Sequence, residues 1–236
     1  MTFDGTQKTI GKGAQAEVLF YHGFAYKVYN ESYPAEWIDF EKHQQQAVNK
    51  ADLCNVKYYD TDDPHIIKMD LVKGDQLEKS VPKNPAQGFL LLARAFRFVH
   101  EVDSSDTTIP PLSATAGLAL TDEEKSQVLP IIDRLSQKYK STICHLDMHF
   151  LNIMIPNDAE LIADKIKYTI IDWMNARLAP PVFDYARTYV IFDEFAKEAV
   201  EYYKATVWPD ILSLGISEDD FFDAAKACKI LRSHEK

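Results

Sequence analysis

Residues 145–152, HLDMHFLN, place two histidines, an aspartate and an asparagine between apolar neighbours, Ile143 and Cys144 before and Ile153 to Ile155 after. Three chemistries suit this set. His145, Asp147 and His149 alternate, so on a strand they would share one face and could ligate zinc or iron. Asp147 could instead accept the proton of an attacking hydroxyl while Asn152, five residues on, binds Mg²⁺ in a phosphoryl transfer. The third option is a satisfied polar turn. The remaining histidines, 22, 43, 65, 100 and 234, form no matching partner motif for a metal cluster.

Other residues along the chain bear on the choice. Gly11 and Gly13 lie between two strand-like runs, with Ala16 where a third glycine could stand. Glycines there let backbone N–H groups approach phosphate oxygens. The stretch is neither a P-loop, since no Gly-Lys-Ser/Thr follows, nor a dinucleotide fingerprint, since a strand follows where a helix is required. Lys27 interrupts the apolar run FAYKV, on the same face as Ala25 and Tyr29. Facing a cleft it would bind phosphate; on an edge strand it would snorkel to water. Such a lysine needs a carboxylate to hold it. In the helix that follows, Trp37, Glu41, Gln44 and Val48 share a stripe, which favours Glu41, with Glu36 one face away as the alternative. Asp172 ends the apolar run TIID, one hairpin after Asn152. Glycine turn, strand lysine, helix glutamate, His-x-Asp-x-x-x-x-Asn and post-strand aspartate stand in kinase order, and this order favours phosphoryl transfer over the other two readings.

The elements that must position these residues divide the chain in two. Lys8–Ile10, Val18–Phe20, Phe24–Val28, Val56–Tyr59 and Ile66–Met69 read as strands, with a turn at Gly23. A helix spans residues 32–50, with Ser32 near its cap and Pro34 in its first turn. After the turn KGDQL the pattern becomes helical. Asn84 caps a helix with Pro85 first and Phe89, Leu92, Phe96 and Val99 on one face. Thr121 and Glu124 match a capping box, and Pro130 interrupts the segment behind them. A single long helix is predicted from near Asp184 through Val207, and another behind Ser217. Ile153–Ile155 and Tyr168–Ile171 flank a hairpin. The fold class is α+β and two-lobed, with a β-rich N-terminal lobe over residues 1–73 and a mostly helical lobe over 74–236.

The 236 residues, 46% hydrophobic and 26% charged, are those of an ordinary globular chain with a sizeable core. A net charge of −10 speaks against non-specific nucleic-acid binding. Cys54, Cys144 and Cys228 are far apart and odd in number, so neither a metal knuckle nor a disulfide framework is expected. With no signal-like apolar core in MTFDGTQKTIGKG and no membrane-length apolar run, a cytoplasmic protein is expected.

Over roughly residues 8–190 the chain resembles the aminoglycoside phosphotransferase and choline kinase family, which shares the protein-kinase fold. That family's catalytic loop reads His-Gly-Asp-x-His-x-x-Asn, here His145 to Asn152 with Leu146 in the glycine position. Its Ile-Asp-Trp/Phe motif resembles IIDWMNARLAPPVFDYA, although Ala179-Pro180-Pro181 replaces its Gly-Asp-Pro. IIKMDLVKGDQL resembles its hinge, and His100 in FRFVHEV its Leu-His helix end. The resemblance implies a small-molecule kinase using ATP or GTP with Mg²⁺. Lys27, held by Glu41, would bind the α- and β-phosphates beneath Gly11 and Gly13. Met69, Asp70 and Leu71 would meet the adenine edge. Asp147 would be the catalytic base, and Asn152 and Asp172 the Mg²⁺ ligands. His145 would anchor the loop, and Asp184 would cap or anchor. The partner would be a small hydroxyl acceptor. Asp193, Glu194, Asp219 and Asp220 could favour a cationic, amine-bearing one, or be solvated helix charges. The alternative is a non-catalytic kinase-fold nucleotide-binding or regulatory protein, which would lack at least one of Lys27, Asp147, Asn152 and Asp172.

Overall fold

The computed structural model describes residues 1–234. The chain divides into two compact units, Met1–Lys73 and Gly74–Lys236.

In the first unit, β1 (Lys8–Lys12), β2 (Ala16–Tyr21), β3 (Phe24–Tyr29), β4 (Tyr58–Tyr59) and β5 (Ile66–Asp70) form an antiparallel sheet in the order β1-β2-β3-β5-β4. Aromatic and β-branched residues run nearly continuously through β2 and β3, as strands covered on both faces require, whereas β1 is largely exposed. One face buries Ala16, Tyr29 and Ile67 against Ile38 of α1 (Ala35–Lys50). The other buries Leu19, Tyr26 and Ile66 beneath Met1 and Phe3. The β1–β2 register shifts between Thr9 and Gly11, a bulge that bends the strand just before the glycine turn. Ser32 lies near the cap of α1, two residues before it. The helix starts after Pro34, which is extended at φ −63° and gives no side-chain cap, because its fixed φ already suits helix entry.

The second unit contains β6 (Asp75–Gln76), β7 (Thr142–Cys144), β8 (Ile153–Ile155), β9 (Thr169–Ile170) and β10 (Arg177–Ala179). Its helices are α2 (Pro85–His100), α3 (Leu112–Thr115), α4 (Asp122–Lys138), α5 (Pro181–Phe195), α6 (Val200–Ser213) and α7 (Glu218–Ser233). The strands pair as β6-β8-β9 and β10-β7. Phe89, Leu92, Phe96 and Val99 of α2 are buried on one face; each contributes about 1.5–3 kcal/mol. The capping box of Thr121 and Glu124 is present. Pro130 does not break α4: it sits on the exposed side of the helix, which runs on to Lys138. The single long helix predicted from Asp184 is two. It starts earlier, at Pro181, and stops at Phe195, where Ala196 turns to φ −152°. The reversal brings the Tyr203 hydroxyl to donate to the Tyr185 carbonyl at 2.7 Å. Eighteen residues of continuous helix would hold those two about 27 Å apart.

Gly74 opens the second unit at φ +152°, and a Cβ there would overlap the Ile155 carbonyl oxygen across the β6–β8 pair. Gly74→Ala is expected to cost about 3 kcal/mol from clash and strain together. Gly23→Ala, at φ +85° with nothing within 4 Å, should cost about 1 kcal/mol. Denaturant unfolding of the two variants checks the difference, and equal costs would contradict the close approach.

Candidate active site

The loop after β7 is shaped from behind by α5. Residues 181–192 of α5 are buried apart from Tyr189, so this helix is apolar on nearly every side and any polar group on it must be paired internally. Asp184, fully buried, accepts from the backbone N–H of His145 at 3.0 Å, that of Leu146 at 2.9 Å, and His100 Nε2 at 3.0 Å. One turn later the Thr188 hydroxyl donates to the Met148 carbonyl at 2.7 Å. These contacts hold Leu146 at φ +56°, the left-handed region that a glycine would enter without cost. Thr188 was not singled out from sequence, yet its spacing of four from Asp184 puts both on one helix face.

His145 is fixed at both ring nitrogens. Nδ1 accepts from the Asp147 N–H at 3.2 Å, so Nε2 carries the proton and donates to the Ile171 carbonyl at 3.1 Å. Burial lowers its pKa against the pull of Asp184 and Asp147. A ring committed in this way ligates no metal, and the zinc or iron reading of His145, Asp147 and His149 falls with it. Among the described residues, His100, Cys144 and Asp184 do bring their ligand atoms within 4.8 Å of one another. There the carboxylate is filled by N–H donors, and the Cys144 thiol donates to the Ala179 carbonyl at 3.3 Å.

Asp147 faces the open side of the loop. Its Oδ2 accepts from Asn152 Nδ2 at 3.0 Å and has His149 Nε2 at 3.5 Å. His149 Nδ1 accepts from the Leu151 N–H at 3.3 Å, which leaves the Nε2 proton aimed at Asp147. Burial alone would raise the Asp147 pKa. The hydrogen bond from His149, and the charges of His149, Arg187 and His145, overcome it and hold the carboxyl well below the usual carboxylate range. Asn152 also donates to the Asp147 carbonyl at 2.9 Å. With its nitrogen committed, the Asn152 amide presents its oxygen to any cation.

Asp172 lies next in the ladder. β8 and β9 pair Ile153 with Ile170, and the Ile171 N–H donates to the Asn152 carbonyl at 2.9 Å, so Ile171 lies across from Asn152 and Asp172 is the next residue along. It adopts φ +64°, a conformation that aspartate tolerates better than most residues. An amide oxygen and a carboxylate are hard oxygen donors of the kind Mg²⁺ takes.

In the first unit, Lys27 Nζ donates to both oxygens of Glu41, at 2.9 and 3.0 Å. Glu41 is 1% exposed and also receives the Tyr29 hydroxyl and, at 3.4 Å, that of Tyr58. Burial raises the Tyr29 phenol well above its ordinary value, the charge of Lys27 opposes this and that of Glu41 adds to it. Glu36, the alternative partner, is exposed in the first turn of α1. The turn after Gly11 is closed by the Gly13 N–H donating to the Ala16 carbonyl at 2.9 Å. Met69 lies in β5 opposite Ala25, with Leu71 just beyond the strand. The Asp70 carboxylate is spent within the unit, on the Lys57 N–H at 3.0 Å and the Tyr59 hydroxyl at 2.9 Å.

The four acids singled out near the helices divide. Asp220 is enclosed by Arg134, Lys138, Tyr139 and Ser217. Glu194 Oε2 accepts from Arg232 Nε at 3.2 Å and Nη2 at 3.1 Å. Both are neutralised by cations of the same unit, and of the four only Asp193 and Asp219 remain without such a partner among the described residues. A cavity of about 630 Å³ opens among Arg97, Asp103, Lys140, Tyr185 and Asp210, away from the loop.

The His149 contact generates a titration. A carboxyl with a depressed folded pKa stabilises the fold above its unfolded value, and that contribution is lost as pH falls through the folded value. The Asp147 carboxyl carbon should therefore show an NMR midpoint below the ordinary ~3.9. In His149→Ala, with burial less opposed, it should move up. A midpoint at or above the ordinary value in the unsubstituted protein would contradict the geometry.

A profile of the phosphotransferase enzyme family matches residues 6–211. No curated protein matches the chain in sequence. Solved structures share the fold. The aminoglycoside phosphotransferase APH(3'')-Id of Streptomyces rimosus, in complex with ADP and streptomycin, superposes with a TM-score of 0.66 at 14% identity, over 98% of this chain and 92% of that one. Choline kinase LicA of Streptococcus pneumoniae gives 0.64 at 15%, over 98% and 84%. The aminoglycoside phosphotransferase APH(4)-Ia, as a thermostable mutant in a ternary complex with AMP-PNP and hygromycin B, gives 0.55 at 14%, over 97% and 92%. An antiparallel N-terminal sheet followed by a helical part is thus the kinase-like fold of these enzymes. No helix among the described residues is long and apolar enough to cross a membrane.

Proposed function

Because the chain belongs to the phosphotransferase enzyme family, we propose that it moves the γ-phosphoryl group of ATP or GTP to a hydroxyl of a small molecule, with Asp147 as the base. The observation that carries this reading is the asymmetry of the Asp147 carboxylate. One oxygen is held by Asn152 and approached by His149, and the other has no hydrogen-bond donor among the described residues. A carboxylate kept ionised and oriented in this way is a proton acceptor in waiting. The acceptor hydroxyl gives its proton to Oδ1 of Asp147 as its oxygen bonds to the γ-phosphorus. The bond from that phosphorus to the β–γ bridging oxygen breaks, and the nucleoside diphosphate leaves.

Lys27, fixed by Glu41, binds the α- and β-phosphates, with backbone N–H groups of the Gly11–Gly13 turn beside them. Met69 and Leu71 lie at the adenine edge; the side chain of Asp70 is committed elsewhere. Asn152 and Asp172 hold Mg²⁺, which when bound neutralises phosphate charge. Nothing in this scheme needs a covalent enzyme intermediate; the chain's work is positioning and charge compensation. Lys27, Asp147, Asn152 and Asp172 are all present, and this favours catalysis over a regulatory nucleotide binder.

The acceptor is a small molecule and not a protein. Between Asp172 and α5 the chain has only residues 173–180, filled by a single helical turn and β10, with no length for a peptide-docking segment and no hydroxyl side chain to phosphorylate.

Asp147→Asn keeps the shape of the loop and is expected to lower kcat by about 10²–10⁴-fold with a confirmed acceptor. Lys27→Ala should raise the KM for nucleotide, and Asp172→Ala should abolish Mg²⁺-dependent turnover. Steady-state phosphoryl transfer measured with radiolabelled ATP checks all three, and near-normal kcat in Asp147→Asn removes the base from the scheme.

A further inference from the structure

The acceptor side of Asp147 is not open solvent. Oδ2 is committed to Asn152 and His149, whereas Oδ1 faces Arg232 Nη1 at 4.0 Å. That arginine comes from the last turn of α7, and its side chain is only 14% exposed. Glu194 takes its Nε and one N–H of Nη2, and the Phe195 ring lies 5.6 Å from the guanidinium carbon. A guanidinium has five N–H groups. Both on Nη1 and the second on Nη2 have no acceptor among the described residues. The 4.0 Å gap is too long for a hydrogen bond. It is wide enough for one oxygen lying about 2.8 Å from each side.

We propose that Arg232 selects the acceptor, and that the acceptor is a small hydroxy compound carrying an oxyanion, a carboxylate or a phosphate, on a carbon next to the reacting hydroxyl. The proposal rests on Asp147 being the base. With the hydroxyl at Oδ1, its neighbouring substituent meets the unused N–H fork of Arg232. A planar fork of fixed donors suits an oxyanion and repels an ammonium. Two of the four acids that could have attracted an amine do not compete. Glu194 is the residue that holds Arg232 in place, and Asp220 is closed off by Arg134 and Lys138. Arg187, also on α5 and buried, adds positive charge near Asp147.

Three probes share one diol skeleton and differ in charge: glycerate, glyceramide and aminopropanediol. Glycerol phosphate serves as the phosphate counterpart of glycerate. In ATP-dependent transfer, one of the anions should exceed glyceramide by about 10–100-fold in kcat/KM, mainly through KM, and aminopropanediol should be poorest. Whichever anion leads identifies the carboxylate or the phosphate as the recognised group. Arg232→Met should collapse this preference and Arg232→Lys should recover part of it, with thermal midpoints confirming that both variants fold. If Arg232→Met does not fold, a several-fold loss of preference in Arg232→Lys carries the test. Independently of turnover, the Arg232 Nε–H resonance should shift on titration with glycerate or glycerol phosphate and not with aminopropanediol. The proposal is overturned if the amine is the best acceptor, if the anion preference survives in both Arg232 variants, or if neither anion moves that resonance. Retained turnover in Asp147→Asn would instead remove the base assignment. The charge ranking and the resonance shift are read separately from it.

Discussion

A single buried carboxylate, Asp184, sets the shape of the loop on which the proposed chemistry depends. It is fully enclosed, yet it has two backbone N–H donors and an imidazole, so the charge is compensated by hydrogen bonds and needs no solvent. Those bonds cannot form unless the chain turns left-handed at Leu146. Once it does, the Asp147 N–H falls on His145 Nδ1, the tautomer of His145 is fixed, and its Nε2–H ties the loop to the Ile171 carbonyl beside Asp172. One anchoring contact on α5 thereby orders the base and the strand end that carries the second oxygen ligand.

The first unit solves a related problem in the opposite sense. Glu41 is also a buried carboxylate, but its partners are a cation and two phenols. Asp184 shapes backbone; Glu41 aims a side chain. The Lys27 ammonium would otherwise follow its long stem to water. In both cases removing one partner leaves an uncompensated buried group, which costs far more than the pair gains the fold.

What could be read from sequence follows from how local each determinant is. The capping box at Thr121 and the apolar face of α2 depend on residues three or four apart, and both were legible. Lys27 and Glu41 meet across two elements, and strand alternation together with the helix stripe pointed to the pair. Asn152 and Asp147 are five residues apart within one turn. Determinants that lie between distant segments left no such trace. Phe195, Ala196 and Lys197 are all helix-permissive, so the break before α6 follows from Tyr203 folding back on Tyr185 and not from any breaker residue. Glu194 and Asp220 read as free acids because Arg232, Arg134 and Lys138 come from other helices. Pro34, expected in the first turn of α1, is instead its cap, a difference of one residue within the usual uncertainty of helix ends.

Leu146 also bears on the order in which such a loop can change. Its left-handed backbone costs about 1–2 kcal/mol relative to glycine, while its side chain, 5% exposed, fills space that a glycine would leave empty. The two effects oppose each other, so a glycine and a leucine can each be tolerated, but for different reasons. The leucine is tolerated only while Asp184 enforces the turn. With leucine at this position, loss of the Asp184 anchor leaves the left-handed backbone strained and unsupported, whereas a glycine would carry no such strain. The residue at position 146 therefore constrains which changes at position 184 the chain can survive.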